Sequence, residues 1–551
     1  MSYAPTFLTK KKSDGGRALS GVAIAVACIC ALPMLAVLLA ALSGGTQTVQ
    51  LLAQTVLGGY ARTTLALVVL VACGTFALGV GAAWLVTMTR FPGVRFFEVA
   101  LVLPLAFPAY VLAYAYTHVL DHPGIVQSML RDVTGWGPRD YWFPEIRSLG
   151  GAAAMLVLVL YPYVYLLARA AFMQQSGTTF LAARALGSSP WAAFFKVSLP
   201  LARPAIAGGV LLTVMETIAD FGTVAYFGVQ TFATGIYTSW FSLFDRVGAA
   251  QLALCLLSFA LLLAMLERVQ RGAAKYHDPA RQAKAAPPME LQGWRAGIAM
   301  VLCGIPVLFG ALLPIVVLFF MGLGSEQNLL SARYMGFIRN SATLAAVAAV
   351  VTVAAAICVG FYGRMRSGRV AQVATYVARL GYAVPGGVIA VGLMVPFAAF
   401  DNAVDAWMRS TFDISTGLLV TGSIWLLVVA YMVRFLAAAL GAYEGGQAMV
   451  HVNMDSASRS LGQGPVGTLR RVHLPILAPS LLTALLIVFV DVMKELPATL
   501  IMRPFNFDTL AVQAYRLASD ERLEGAAVPS LVIVAMGLLP VILICRQVGR
   551  R

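Results

Sequence analysis

Two pairs of carboxylates interrupt long apolar runs. Glu216 and Asp220 lie in Met215-Glu-Thr-Ile-Ala-Asp-Phe-Gly222, one helical turn apart on one face. Asp491 and Glu495 lie in Val490-Asp-Val-Met-Lys-Glu-Leu-Pro497, at a constant offset of 275 residues. Charge inside a membrane span is costly and by default faces a cavity or a partner. Carboxylates suit a hard cation by charge and ligand type, and suit a cationic organic solute as well. Cargo must also leave, so the expected role is an electrostatic guide along a translocation path. The structural alternative is that these groups tie helices together through Lys494 and backbone groups. Glu216 and Asp491 follow Pro204 and Pro479 by 12 residues. At about 1.5 Å per residue they lie about 18 Å along their spans, towards the outer side.

Other chemistry is excluded. No lysine follows a glycine, so the phosphate-cradling loop of ATP-binding proteins is missing. Neither a nucleophile elbow nor an H-E-x-x-H helix occurs. The seven cysteines fall in apolar runs without C-x-x-C spacing, and the five histidines are scattered. No catalytic residue, metal ligand or cofactor is expected. The chain reads as a pore former whose energy comes from elsewhere.

A second repeat shares the offset. Leu181-Ala-Ala-Arg-Ala-Leu-Gly-Ser-Ser-Pro-Trp-Ala-Ala-Phe-Phe-Lys-Val-Ser-Leu-Pro200 pairs with Ser456-Ala-Ser-Arg-Ser-Leu-Gly-Gln-Gly-Pro-Val-Gly-Thr-Leu-Arg-Arg-Val-His-Leu-Pro475. Ser189 before Pro190 is an N-cap with proline at the first helical position, and Gly464-Pro465 is a weaker version. The helix that follows carries Trp191, Phe194 and Phe195 on one face, answered by Val466, Leu469 and Arg470. A short capped helix with an apolar face is shaped to enter a partner's groove. An interfacial helix lying on lipid is the alternative for a single copy, and two copies in register favour the partner.

These loops resemble the EAA loops of ABC importer permeases, which dock on the ATP-hydrolysing subunit. The resemblance assigns ATPase docking to Ala182, Ala183, Arg184, Gly187, Pro190, Trp191, Phe194, Phe195 and Pro200. In the second copy it assigns docking to Arg459, Gly462, Pro465, Leu469, Arg470 and Pro475. The sequence departs from the motif at its acidic position, occupied by Leu181 and Ser456, with Asp455 one place early. Asp220–Tyr237, Lys494–Leu510 and Ala518–Leu523 resemble the fused permeases of iron(III) importers. That resemblance implies two copies of a cytosolic ABC ATPase, a periplasmic iron-binding protein and a bacterial inner membrane. Permeases for thiamine or polyamines share the architecture. An ion-coupled secondary transporter is the competing class, but it has no need of paired, capped loops.

The elements that position these residues are apolar. The chain of 551 residues is 60% hydrophobic and 11% charged, as expected of a multi-span membrane protein. Apolar runs fall near 19–42, 63–88, 97–119, 149–171, 204–226 and 247–266. A second set falls near 297–322, 342–362, 372–399, 416–440, 476–498 and 526–545. Arginine and lysine concentrate in the tail 1–16, both EAA-like loops, the linker 267–295 and the C-terminus. The formal charge of +15 is therefore a topology signal, with both termini cytosolic, and no nucleic acid is implied. The expected fold is all-α and polytopic. A first half (17–266) and a second half (296–551) each hold six spans in parallel orientation, related by a pseudo-two-fold axis along the membrane normal. Phe107-Pro108 and Val384-Pro385 open matching stretches in the third span of each half. The outer loop 120–148, with Trp136, Tyr141 and Trp142, is either a docking surface for an external partner or simply solvated.

Overall fold

The computed structural model describes residues 14–43, 45–175, 182–273, 288–328, 331–366 and 368–549. The first part of the expected tail, Leu181 and linker residues 274–287 lie outside the described residues. The fold is all-α, because a backbone in lipid must satisfy its own amides. Among the described residues, eleven helices are long and apolar enough to cross a membrane. The pair Val94–Ala106 and Ala109–Thr134, bent by 93°, makes twelve if it is counted as one crossing. Among the described residues, extended pairing is confined to Thr89 with Met289 and Arg90 with Glu290, in parallel. That ladder pins the end of the linker to the turn after the Leu57–Met88 helix, where Leu291 N–H donates to the Arg90 carbonyl at 2.9 Å.

Several expected spans are broken, each for a local reason. The run 97–119 turns at Pro108, which sits in extended conformation (φ −68°, ψ 139°) and starts the Ala109–Leu120 helix. The run 372–399 breaks in the same way at Pro385 (φ −58°, ψ 146°), between Arg369–Leu380 and Gly386–Phe412. Proline cannot donate an amide and disfavours helix at the residue before it, so the matching Phe107-Pro108 and Val384-Pro385 motifs are helix starts. The fifth spans also stop early. Leu199–Ala219 ends at an extended Asp220 before the short Gly222–Tyr226 helix. Leu474–Met493 is likewise followed by Pro497–Met502.

By contact the chain forms two compact units. The smaller comprises Met1–Leu32, Ala346–Tyr382 and Tyr431–Phe489, and the larger comprises Pro33–Ala345, Ala383–Ala430 and Val490–Arg551. The smaller unit is built on buried Phe361, Tyr443, Val450 and Leu477, against which Leu19 of the first helix packs. In the larger unit Leu57–Met88, Leu149–Gln174 and Leu199–Ala219 pack together. Inside that unit the helices at the start of each half exchange places. Gly310, in the first span of the second half, lies against Pro104, and the Tyr116 hydroxyl donates to the Phe309 carbonyl at 2.7 Å. Conversely Pro33, in the first helix of the chain, presents its carbonyl to Gly392. The sequence reading of two parallel halves of six spans each did not foresee this exchange.

Candidate coupling loops and intramembrane carboxylates

The two EAA-like loops share a backbone. Gly187 and Gly462 both take the left-handed conformation (φ +87° and +78°), in which a side chain is strained. Nothing lies within 4 Å of a Cβ placed on either, so the requirement is conformational and not one of space. Ser189 Oγ accepts from Ala192 N–H at 3.1 Å, the expected N-cap, whereas Gly464 offers no side-chain cap. Short helices Pro190–Ala193 and Pro465–Thr468 follow, each running into a wide π turn, Phe194–Ser198 and Leu469–His473. In these turns Leu199 N–H reaches the Phe194 carbonyl and Leu474 N–H reaches that of Leu469. A proline follows each turn (Pro200, Pro475) and has no N–H to return to it.

The extra residue of the π turn changes which side chains face outward. Phe194 is buried, its ring 4.4 Å from that of Trp84 and 6.3 Å from that of Phe172. Its counterpart Leu469 packs against the core of the smaller unit. Neither belongs to an exposed docking face, which corrects the three-aromatic face read from spacing. Trp191 and Phe195 remain exposed and stacked at 6.5 Å. Ala182, Arg184 and Gly187 are exposed, and Ala183 and Pro200 half-buried. In the second loop Arg459, Gly462, Arg470 and Pro475 are exposed and Pro465 is half-buried. Sequence spacing missed one aligned pair, Leu186 and Leu461, which are 87% and 80% exposed beside the two glycines. Large apolar side chains left in solvent at matching sites were the available signal.

The anchors beneath the loops differ. The first rests on the Trp84–Phe172–Phe194 cluster, with Gln175 Nε2 donating to the Ser198 carbonyl at 2.8 Å. The second rests on Asp455, which is buried. Its carboxylate accepts from Arg364 Nε at 2.8 Å and lies 2.7 Å from His473 Nε2. Arg364 also donates to the carbonyls of Gln447 and Val450, and the Phe361 ring stands edge-on to His473 at 4.9 Å. Burial alone would raise the Asp455 pKa, but hydrogen bonds from His473 and Arg364 hold it below the usual carboxylate range. Asp455, the acid one place early in the motif, is thus an internal tie. The partners are too far apart in sequence for spacing to reveal them.

The four intramembrane carboxylates divide in two. Asp220 accepts from Thr223 N–H, Val224 N–H and the Thr223 hydroxyl at 3.1–3.2 Å, capping the next helix. Glu495 does the same for Ala498 N–H, Thr499 N–H and the Thr499 hydroxyl at 2.9–3.1 Å. Glu216 and Asp491 instead sit within their helices, half-buried, and Asp491 pairs with Lys494 at 2.9 Å. The shared helical face expected for Glu216 and Asp220 is lost, because the helix ends between them. Among the described residues no three His, Cys, Asp or Glu side chains converge as a metal site would need.

Within the larger unit, Arg147 makes a bidentate pair with Glu521 (2.7 and 2.8 Å) and a 3.0 Å contact to Asp121, with Tyr226 under its guanidinium. The Arg147 hydrogen bond holds the Glu521 carboxyl below its ordinary pKa. Residues 75–272 and 352–551 each match the sequence profile of the family described as binding-protein-dependent transport system inner membrane component. The Fe(3+)-transport system permease protein FbpB 2 of Haemophilus influenzae is 26% identical over 527 residues, 93% of this chain and 95% of the relative. The ferric transport system permease protein FbpB of Actinobacillus pleuropneumoniae is 23% identical over 79% of this chain, which spans 63% of that relative. The molybdenum transport system permease protein ModB of Escherichia coli is 28% identical over 34% of this chain and 81% of its own length.

Proposed function

Because the chain belongs to the family of binding-protein-dependent transport system inner membrane components, it is a multi-pass permease subunit that works with an ATPase and a substrate-binding protein, and we propose that its cargo is iron(III). The observation that carries the permease reading is the doubled loop. Each matched stretch contains a left-handed glycine, a short helix that starts at a proline and a π turn at the same place. Iron(III) is favoured because a relative named for Fe(3+) transport aligns along nearly the whole chain.

In this reading two copies of a cytosolic ATPase dock, one on each loop. The first loop offers Leu186, Trp191 and Phe195, and the second offers Leu461, Val466, Arg459 and Arg470. An apolar tip and a basic tip are suited to a hydrophobic groove with an acidic rim. Both termini and the linker lie in the cytosol, membrane lipid covers the apolar helix faces, and the binding protein docks outside. Glu216 and Asp491 guide the cation, with Lys494 lowering the local negative charge so that cargo is not held.

The test is reconstitution with the partner subunits in proteoliposomes. Iron(III)-loaded binding protein is expected to stimulate ATP hydrolysis and ATP-dependent uptake, and Glu216→Gln with Asp491→Asn to slow uptake. Stimulation only by thiamine or a polyamine would overturn the iron reading. Uptake driven by an ion gradient without the ATPase would overturn the importer reading itself.

A further inference from the structure

A groove of about 360 Å³ runs between the Asp14–Ser43 and Arg369–Leu380 helices, inside the smaller unit. Ile24, Cys28 and Ala31, spaced i, i+4, i+7, line it on the first helix. Val370, Val373 and Val377, spaced i, i+3, i+7, line it on the second. One charged residue, Arg369, stands among these aliphatic walls. The equivalent helix of the first half is filled in differently. At the offset of 275, Phe96 and Phe97 stand where the second half has Ala371 and Gln372. The Phe97 ring reaches the Trp294–Val307 helix, 4.0 Å from where a Cβ on Gly304 would be, and packs with Phe91 and Phe96 at 6.0 and 5.5 Å. Without those rings, the second half keeps an open channel between its helices.

The charges around the groove say what would lie in it. Arg364 is spent on Asp455 and Arg379 pairs with Glu444. Arg366 and Arg369, both exposed, make no ion pair among the described residues. Arg366 directly follows the Ala332–Met365 span, so the two cations stand at the polar boundary of the membrane. The first amides of the Arg369–Leu380 helix add positive potential at the same end, since Gly368 gives them no side-chain cap. A long apolar slot with two unpaired cations at one end is complementary to a molecule with an anionic head and a long hydrocarbon tail. We propose that this groove is a binding site for one anionic phospholipid, its acyl chain between the two helices and its phosphate on Arg366 and Arg369. The proposal needs the chain to lie in a bilayer and is independent of the iron reading. The acyl chain supplies affinity through buried methylenes, whereas the two guanidiniums choose the headgroup.

The test uses the full chain with its ATPase partner, stripped of lipid in detergent and titrated with phosphatidylglycerol or phosphatidylcholine. Bound lipid is counted by native mass spectrometry, and a benzophenone amino acid in place of Val377 reports what occupies the groove. The wild type is expected to retain one phosphatidylglycerol in preference to phosphatidylcholine, and the benzophenone to cross-link to it. Arg366→Gln with Arg369→Gln is expected to weaken phosphatidylglycerol about fivefold per charge removed and to leave phosphatidylcholine unchanged. Both arginines are exposed and unpaired, so this variant should melt as the wild type does. Val373→Phe, which puts a ring into the slot, is expected to weaken both lipids alike. A wild type that holds the two lipids equally, or a double variant that keeps the preference, overturns the proposal. So does a cross-link to protein in place of lipid, which would show that a segment of this chain, a second copy or a partner fills the groove.

Discussion

The two coupling loops have the same backbone on opposite foundations. Beneath the first, three aromatic rings pack together; beneath the second, an arginine, an aspartate and a histidine share buried hydrogen bonds. At aligned positions Phe194 and Leu469 face inward, yet fully buried Ser198 is answered by fully buried His473. The comparison teaches that loop shape depends on the left-handed glycine, the proline-led short helix and the π turn, while the anchor need only be rigid. The two anchors should fail in different ways. Aromatic packing is lost by degrees as volume is removed, whereas a buried ion pair leaves unpaired charge when one partner goes.

The largest contrast should come from Asp455→Ala. Removing the shared acceptor strands Arg364 and His473 and should cost about 3–5 kcal/mol, read as a lower melting temperature and lost stimulation of the ATPase. Phe194→Ala, also large in isolation, should leave no stranded charge, so added salt should moderate the first variant and not the second. If the two variants respond alike to salt, the contrast fails.

Acid should separate the loops next. The folded-state pKa of Asp455 is depressed, so its stabilisation is complete above the unfolded carboxylate value of about 3.9 and is lost as pH falls through the lower folded value. Hydrogen exchange in the Val452–His473 segment should rise below about pH 4, while the Trp84–Phe172–Phe194 cluster contains no titrating group. Equal exchange in both loops on acidification would break the distinction.

Gly187→Val and Gly462→Val test what the loops share. Each forces a branched side chain into a left-handed backbone, at a cost of about 1–2 kcal/mol. The expected outcome is a permease that inserts but no longer couples transport to ATP hydrolysis, equally for both loops because neither site has a clash to add. Normal transport by either variant would remove the shared backbone from the coupling account.

The smallest effect sits at the caps. Ser189→Ala should cost about 1 kcal/mol, whereas Gly464→Ser should gain a few tenths, since only the first loop has a side-chain cap to lose. Paired melting curves check the difference in sign.

How much was legible follows from the range of each interaction. Spans and loops were readable because hydropathy and a constant offset are local and repeated. The breaks at Pro108, Pro385, Asp220 and Glu495 were missed because a hydropathy window averages across them. A signal existed: Asp220 and Glu495 stand three and four residues ahead of the amides they cap, and Glu495 precedes Pro497 at a helix start. Phe194 was read outward because a period of 3.6 residues does not anticipate a π turn. The Asp455 tie joins three separated segments, which no single-sequence period encodes.

The exchange of first helices has a consequence for synthesis. Pro33 finds its neighbour Gly392 only after some 360 further residues have been made. At about 5–20 residues per second, the first helix waits about 20–70 s in lipid without that partner. It therefore has to be a stable tenant of the bilayer alone, and Val22, Leu35, Leu38, Leu39 and Leu42 keep its outward surface oily even after assembly. The order of assembly is thus written into the side chains of the helix that must wait longest.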